Sequence, residues 1–82
     1  MTITLLYFAA VRELVGNDEE RIELPADVKT IADLAAFLAE HRPPLAGRLG
    51  AVRFARNETF AFDDEPIAAG DVIALIPPVA GG

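Results

Sequence analysis

Cysteine is absent from the 82-residue sequence, and its absence excludes every site that depends on a thiol. The chain has no disulfide framework, no cysteine-ligated zinc or iron–sulfur centre and no thiol nucleophile. A small domain without cysteine is typical of a reducing compartment. The N-terminus has no basic region followed by an apolar stretch, and no apolar run approaches the ~20 residues of a membrane span. We therefore expect a cytoplasmic protein that has no membrane partner.

Positive charge is also scarce. Seven lysine and arginine residues stand against thirteen acidic residues, so the formal net charge is −6 at pH 7. This balance disfavours nucleic acid as a partner, because phosphate groups would be repelled. It disfavours direct capture of a phosphorylated metabolite for the same reason. It favours docking on a basic face of another protein, with solubility alone as the alternative explanation.

Hydrophobic residues, by contrast, make up 52% of the chain, enough for one globular domain and too many for a disordered segment. Alternating and β-branched residues predict strands at 2–8, 20–24, 52–56 and 71–76, with a short extended piece at 60–62 after a turn at 57–59. In the first strand, alternation places Ile3, Leu5 and Tyr7 on a core face. It leaves Leu6 and Phe8 as apolar residues on the outer face.

Two helical segments are predicted. Residues 9–15 form a short helical turn that Gly16-Asn17 ends. The main helix begins at Thr30, with Asp33 completing a capping box, and Pro43-Pro44 prevents its continuation. The apolar stripe of this helix follows i, i+3, i+4, i+7 spacing and consists of Ile31, Leu34, Ala35 and Leu38.

Two polar features have structural explanations. His41, the only histidine, lies at the C-terminal end of the main helix, where a cation is favoured, and we interpret it as a charge partner and not a catalyst. The acidic run 63–65 lacks the glycine-pivoted spacing of a calcium loop and is interpreted as a solvated turn, so no metal site is expected.

The order of these elements predicts an α+β fold of the β-grasp, or ubiquitin-like, class. We expect a mixed four- to five-stranded sheet covered by one main amphipathic helix, with the first and last strands parallel and central. A ferredoxin-like fold is the alternative, but it needs a second long helix that residues 45–50 are too short to supply.

The chain ends in an uncharged stretch, Pro77-Pro78-Val79-Ala80-Gly81-Gly82, directly after the last predicted strand. The two prolines stop the strand, which divides the chain into a domain at 1–76 and a tail at 77–82. The two glycines have no Cβ, so the end of the tail fits a slot too narrow for other residues. This pattern indicates chemistry on the terminal carboxylate inside another protein; a frayed C-terminus is the alternative.

Two blocks, at 8–16 and 70–82, resemble the small subunits of molybdopterin synthase (MoaD), a family of ubiquitin-like sulfur carriers. The Pro-Pro and the Arg12-Glu13-Leu14 turn distinguish this family from the related thiamine-pathway carriers. The third strand departs from the family pattern, because Arg56 stands where an apolar residue is usual.

The resemblance implies a cycle at Gly82. A MoeB-like adenylating enzyme uses ATP and magnesium to form an acyl-adenylate on the Gly82 carboxylate, and a cysteine desulfurase or rhodanese supplies sulfur to give a thiocarboxylate. The tail, including Gly81, Ala80, Val79 and Pro78, then enters a MoaE-like large subunit and donates sulfur to a cyclic pterin precursor. The family assembles as two small subunits on a large-subunit dimer. The chain itself is expected to bind no cofactor and to supply no catalytic side chain.

The resemblance also gives a role to the apolar outer face. Phe8 and Ile76, with Phe60 in a neighbouring loop, match the exposed patch on which both partners of the family dock, and Arg12 and Glu13 are expected to add salt links. The alternative is that Phe8 and Phe60 cover a secondary core. Other functions remain open: sulfur delivery to thiamine or cysteine synthesis, or ligation of Gly82 to lysines of other proteins as a ubiquitin-like modifier.

Overall fold

Five β-strands form one mixed sheet in the computed structural model of the chain, which describes residues 1–78. The strands are β1 (Thr2–Tyr7), β2 (Glu19–Glu23), β3 (Arg53–Arg56), β4 (Thr59–Phe60) and β5 (Val72–Ile76). The α-helices are α1 (Ala9–Val15) and α2 (Ile31–His41), and two short 3₁₀ helices follow at Pro43–Leu45 and Leu49–Ala51. No helix among residues 1–78 is long and apolar enough to cross a membrane.

The strand order is β2-β1-β5-β3-β4, so the first and last strands lie side by side near the centre of the sheet. They are parallel, with Leu5 opposite Ile73 and Tyr7 opposite Leu75. The β1–β2, β3–β5 and β3–β4 pairs are antiparallel. The β-grasp prediction is therefore confirmed, including the position of the two parallel strands.

The core lies between one face of this sheet and helix α2. The inward residues of β1 and β5 alternate with partly exposed neighbours and are almost completely buried. The stripe residues Ile31, Leu34 and Leu38 of the helix are buried to the same extent. Burial of each such side chain contributes roughly 1.5–3 kcal/mol, so this single layer of contacts dominates the stability of a domain this small.

Helix α2 begins as the sequence predicts. The Asp33 amide donates to Thr30 Oγ1 at 3.2 Å, and Asp33 Oδ2 accepts from the Lys29 and Thr30 amides at 3.0 and 3.1 Å. These two backbone N–H groups lower the pKa of Asp33. At the other end, His41 Nδ1 lies 2.9 Å from the Phe37 carbonyl oxygen and its ring stacks on Phe37. His41 is therefore a helix-end residue, as predicted.

Several predicted strand boundaries were wrong, including those of β2, which spans Glu19–Glu23 and not 20–24, and of β5, which starts at Val72 and not at residue 71. Phe8 is not in β1 but precedes α1 as its N-cap, and β3 starts at Arg53 and not at residue 52. Phe60 is not in a loop: it pairs with Ala55 in β4, and Thr59 belongs to the same strand. The cause of the difference at Phe60 is a two-residue turn at Asn57 and Glu58, which both have left-handed φ (49° and 74°). This turn is one residue shorter than the predicted turn at 57–59, so the strand that follows it starts earlier.

Candidate functional site

The face of the sheet opposite α2 carries a row of apolar residues across four strands. Leu6 pairs with Ala74, Ala74 with Ala55, and Ala55 with Phe60. The two alanines in the middle have short side chains, whereas the residues at both ends are large. The row is therefore concave, and this explains why a groove forms on an otherwise pleated surface.

This outer-face groove has a volume of about 640 Å³ and runs along β5. Its lining is mostly apolar and consists of Leu6, Phe8, Ala55, Asn57, Glu58, Phe60, Val72, Ala74 and Ile76. Phe8 is 46% exposed and Phe60 is 52% exposed, which is unusual for aromatic rings on a small domain. The interpretation of these two rings as a secondary core is wrong, because neither is buried.

The groove ends where the predicted tail begins. Strand β5 finishes at Ile76, and Pro77 and Pro78 follow it outside the strand. The Phe8 amide donates to the Leu75 carbonyl at 3.3 Å, so the Phe8 ring lies beside the last residues of β5. The predicted tail residues Val79, Ala80, Gly81 and Gly82 lie outside the described residues.

Of the predicted docking residues, the structure brings Phe8, Phe60 and Ile76 together in the groove. Arg12 is exposed on α1 but is not part of the lining. It forms no ion pair with any other residue of the part of the chain that the structure describes. The predicted salt links of Arg12 and Glu13 with a partner stay a prediction.

One charged residue, Glu58, lines the groove, and a second, Arg53, contacts it from outside; neither is indicated by the sequence pattern. The Arg53 guanidinium carbon lies 4.0 Å from the centroid of the Phe60 ring, in a cation–π contact. Arg53 pairs with Ile76, at the end where β5 finishes. Glu58 lines the other end, beside Val72, where β5 starts. Phe62, which is 80% exposed, was also not selected.

The start of β5 is fixed by a polar cluster around Asp71, which is only 7% exposed. Its carboxylate accepts hydrogen bonds from Arg56 Nε at 2.5 Å, Asn57 Nδ2 at 3.0 Å and the Ala68 amide at 2.8 Å. Burial raises the pKa of Asp71, but the Arg56 guanidinium and the other two donors outweigh burial and hold the pKa below its usual range.

This Asp71 cluster also explains the departure at Arg56. The guanidinium lies on the helix side of β3, where it pairs with Asp71 and, at 3.6 Å, with Glu65. The face of β3 that the sequence left in doubt is thus closed by an ion pair in place of an apolar contact. Arg56 at a core-facing position of β3, with Asp71 just before β5, was the available indication in the sequence.

A second polar cluster joins β1, β2 and the end of α2. The Tyr7 hydroxyl donates to Glu20 Oε1 at 2.5 Å, and Arg42 Nε donates to the same oxygen at 2.9 Å. Burial, followed by the hydrogen bond to Glu20, raises the pKa of Tyr7 well above its ordinary value. The hydrogen bond from Arg42 lowers the pKa of Glu20. This cluster lies away from the outer-face groove and stabilises the fold.

Among residues 1–78 there is no group of three or more histidine, aspartate or glutamate side chains arranged to hold a metal ion. The features that remain as a site are an apolar groove with one carboxylate, Glu58, at the end where β5 starts, and the strand that leads from the groove into the C-terminal six residues.

Comparison with known proteins gives consistent matches over the whole chain. The model of the ThiS family matches residues 5–82. The molybdopterin synthase sulfur carrier subunit of Escherichia coli is 42% identical over 82 residues, which cover 98% of this chain and 99% of that protein.

Solved structures agree with this fold. The crystal structure of small archaeal modifier protein 1 from Haloferax volcanii superimposes with a TM-score of 0.84 at 30% identity, covering 100% of both chains. A chain of the complex of subunits 1 and 2 of molybdopterin-converting factor from Helicobacter pylori superimposes with a TM-score of 0.71 at 26% identity, again covering 100% of both chains.

Proposed function

The chain belongs to the ThiS family, and from this membership we propose that it is the sulfur carrier subunit of a molybdopterin synthase, acting in the cytoplasm. The observation that carries the proposal is the position of β5. This strand pairs on both sides, with β1 and with β3, and leads directly into Pro77 at the end of an exposed apolar groove. A central strand thus leads into Pro77 and Pro78 beside a surface suited to docking.

The chemistry that we propose takes place on Gly82. A carboxylate is a poor electrophile, so ATP first converts it to an acyl-adenylate with release of pyrophosphate. A persulfide on a cysteine desulfurase or rhodanese then attacks the carbonyl carbon and AMP leaves; a thiol of the donor cleaves the resulting acyl disulfide, which gives the thiocarboxylate and a disulfide on the donor. In the large subunit the thiocarboxylate sulfur bonds to a carbon of a cyclic pterin precursor and displaces an oxygen substituent. Water then hydrolyses the thioester, so the sulfur stays on the pterin and Gly82 regains its carboxylate.

The division of labour in this proposal follows from charge and from the residues available. The net charge of −6 would repel a phosphate-bearing pterin, so the large subunit binds the pterin. ATP and magnesium are bound by a MoeB-like adenylating partner. This chain contributes the docking surface and the carboxylate.

The outer-face groove is the proposed docking surface for a MoaE-like large subunit, through Phe8, Phe60 and Ile76, with Arg12 at its margin. The Helicobacter pylori neighbour, a complex of two subunits, supports an assembly of this kind. Two small subunits on a large-subunit dimer are the proposed stoichiometry. The adenylating enzyme is proposed to use the same groove in a separate step, so the two partners exclude each other.

A second candidate function is that of a protein modifier ligated through Gly82 to lysines. It is favoured by the similarity to small archaeal modifier protein 1, which superimposes over the whole chain with a TM-score of 0.84 but is only 32% identical, against 42% for the Escherichia coli carrier subunit. Sulfur delivery to thiamine or cysteine synthesis is a third candidate, consistent with the family match alone.

Intact mass distinguishes these functions. Purified from its native cell, a carrier gains about 16 mass units when one oxygen becomes sulfur, whereas a modifier appears as isopeptide adducts. Capture of a pterin-binding large subunit, against a thiazole synthase, separates the first function from the third.

The length of the tail provides the sharper test. Deletion of Gly82, or addition of one residue after it, should abolish sulfur transfer while the melting temperature stays that of the unaltered chain. Sulfur transfer by either variant would contradict the proposed role of the terminus.

A further inference from the structure

Glu58 occupies a backbone conformation that its residue type disfavours. Three non-glycine residues among residues 1–78 have positive φ, namely Ala9, Asn57 and Glu58. At 74°, Glu58 has the largest of these φ values. Asparagine tolerates the left-handed region, but for other residues with a Cβ the conformation is strained. Glycine is the residue most often found at the second position of such a turn.

The surrounding structure imposes this conformation. The Asn57 amide donates to the Val72 carbonyl at 2.8 Å, and the Val72 amide donates to Asn57 Oδ1 at 2.9 Å. Asn57 Nδ2 also donates to Asp71. The turn is thus attached to the start of β5 by three hydrogen bonds, and Glu58 cannot relax without breaking the β3–β4 pairing.

In the part of the chain that the structure describes, the Glu58 side chain makes no polar contact that would offset this strain. It is exposed, and it forms no hydrogen bond or ion pair with any other residue between 1 and 78. Backbone strain that the fold imposes but does not use is a feature of functional positions. The Glu58 carboxylate is therefore available for a contact outside the domain.

The location of Glu58 indicates the nature of that contact. It lines the outer-face groove at the end beside Val72, and the other end lies at Ile76, four residues along β5 or about 13 Å away. Arg53 is not part of the lining, because its guanidinium stacks on the Phe60 ring. The lining therefore has a single charged side chain, Glu58, at one end of an apolar surface. A protein surface complementary to it must be apolar in its centre and carry a positive charge where it meets Glu58.

We propose that Glu58 is a specificity-determining contact of the groove, which pairs with a lysine or arginine of the large subunit that docks there. The inference rests on the proposed function, which makes the groove a docking surface, and adds the orientation and the charge of the partner. Charges at the edge of an interface mainly increase the association rate and fix the register of the complex.

The test measures binding of the full chain to the synthase large subunit from the same organism, by stopped-flow and calorimetry, at about 50 mM and about 500 mM salt. Glu58→Gln removes the charge and keeps the left-handed backbone. Glu58→Gly removes the charge and relieves the strain. Glu40→Gln, on the exposed face of α2 at the opposite side of the molecule, is the charge-matched control. Phe60→Ala reports whether the groove is used at all.

We expect Glu58→Gln to bind about 3- to 10-fold more weakly at low salt, chiefly through slower association, and the difference to fall below about 2-fold at high salt because the pair is screened. Glu58→Gly should lose the same affinity while its melting temperature equals or exceeds that of the unaltered chain, which separates a lost contact from a lost fold. Glu40→Gln should bind like the unaltered chain.

One result would overturn the inference but keep the docking surface. In that case both Glu58 variants bind within about 2-fold of the unaltered chain at low salt, while Phe60→Ala binds more than about 10-fold more weakly. Glu58 would then be only a tolerated turn residue. If Phe60→Ala also binds normally, the proposed docking surface is wrong and the inference falls with it. Sedimentation of the chain alone tests a further outcome. If the chain self-associates and Glu58→Gln weakens that association, the groove binds a second copy of this chain, and the proposal that a different protein docks there is overturned.

Discussion

Replacing Asp71 with asparagine tests the polar cluster that fixes the start of β5. The change keeps the volume and one carbonyl acceptor but removes the charge, so the Arg56 guanidinium loses its ionised partner and faces an amide. Arg56 is 28% exposed and retains Glu65 at 3.6 Å, whereas the carboxylate of Asp71 is nearly enclosed. The lost free energy is therefore expected to come mainly from the hydrogen bonds to Asp71.

A hydrogen bond to a charged group contributes roughly 1.5–3 kcal/mol. Because two of the three donors to Asp71 keep an acceptor in the asparagine variant, we expect the free energy of unfolding to fall by about 2 kcal/mol at pH 7. For a domain of this length, that loss lowers the melting temperature by about 8–16 °C.

The effect has a defined pH dependence. The pKa of Asp71 is lower in the folded state than in the unfolded chain, because Arg56 and the two other donors outweigh burial. Such a carboxylate stabilises the fold at pH values above its unfolded pKa of about 3.9, and its contribution is lost as the pH falls through its folded pKa. The stability difference between the two chains should therefore be full at pH 7 and shrink below about pH 4.

Urea unfolding at pH 7, 5, 4 and 3 measures that difference directly, since the other carboxylates titrate in both chains. Arg56→Ala and the double variant complete a double-mutant cycle, in which we expect a coupling of about 1–2 kcal/mol at pH 7. A variant within about 0.5 kcal/mol of the unaltered chain at pH 7, or a difference that persists unchanged at pH 3, would refute the role given to the cluster.

Two further predictions concern the aromatic residues of β1 and its end. Phe8→Arg should weaken binding to the large subunit and to the adenylating enzyme, yet shift the melting temperature by no more than about 2 °C, because the ring is half exposed; a drop of more than about 10 °C would show that Phe8 belongs to the core. Tyr7, the only tyrosine, should give no tyrosinate absorbance as the pH passes its ordinary pKa of about 10, because burial and Glu20 raise its pKa. Neutral Tyr7 stabilises the fold at pH values below about 10, and this stabilisation is lost at higher pH, as the pH approaches the raised pKa of Tyr7 in the folded state. Tyrosinate absorbance that appears near pH 10 while the circular dichroism shows an intact fold would contradict this prediction.

Local patterns predicted the elements whose structure depends on neighbouring residues. The capping box at Thr30 and Asp33 acts within one helical turn, and alternation in β1 is a property of six consecutive residues. The prediction of two parallel central strands succeeded because the most apolar strands of a small domain have to share the centre of the sheet. These are cases in which local preference and tertiary packing agree.

Elements whose form depends on distant contacts were not predictable. Strand β4 has only two residues, and its pairing with β3 depends on a left-handed turn that Asn57 holds against β5, 15 residues later in the chain. That turn moves Phe60 from a loop into the sheet and places Glu58 at the groove. The roles of Arg53 and Arg56 likewise depend on Phe60 and Asp71, which are remote in sequence. The tail chemistry stays a prediction.

The central position of β5 has a consequence for synthesis of the chain. Strands β1 and β3 do not pair with each other, and both depend on residues 72–76 for their second neighbour. A nascent chain that stops before Val72 therefore has two sheet fragments without the strand that joins them. Folding has to wait until residues 72–76 have left the ribosome. Products terminated before Val72 therefore lack both Gly82 and a native domain with an intact outer-face groove.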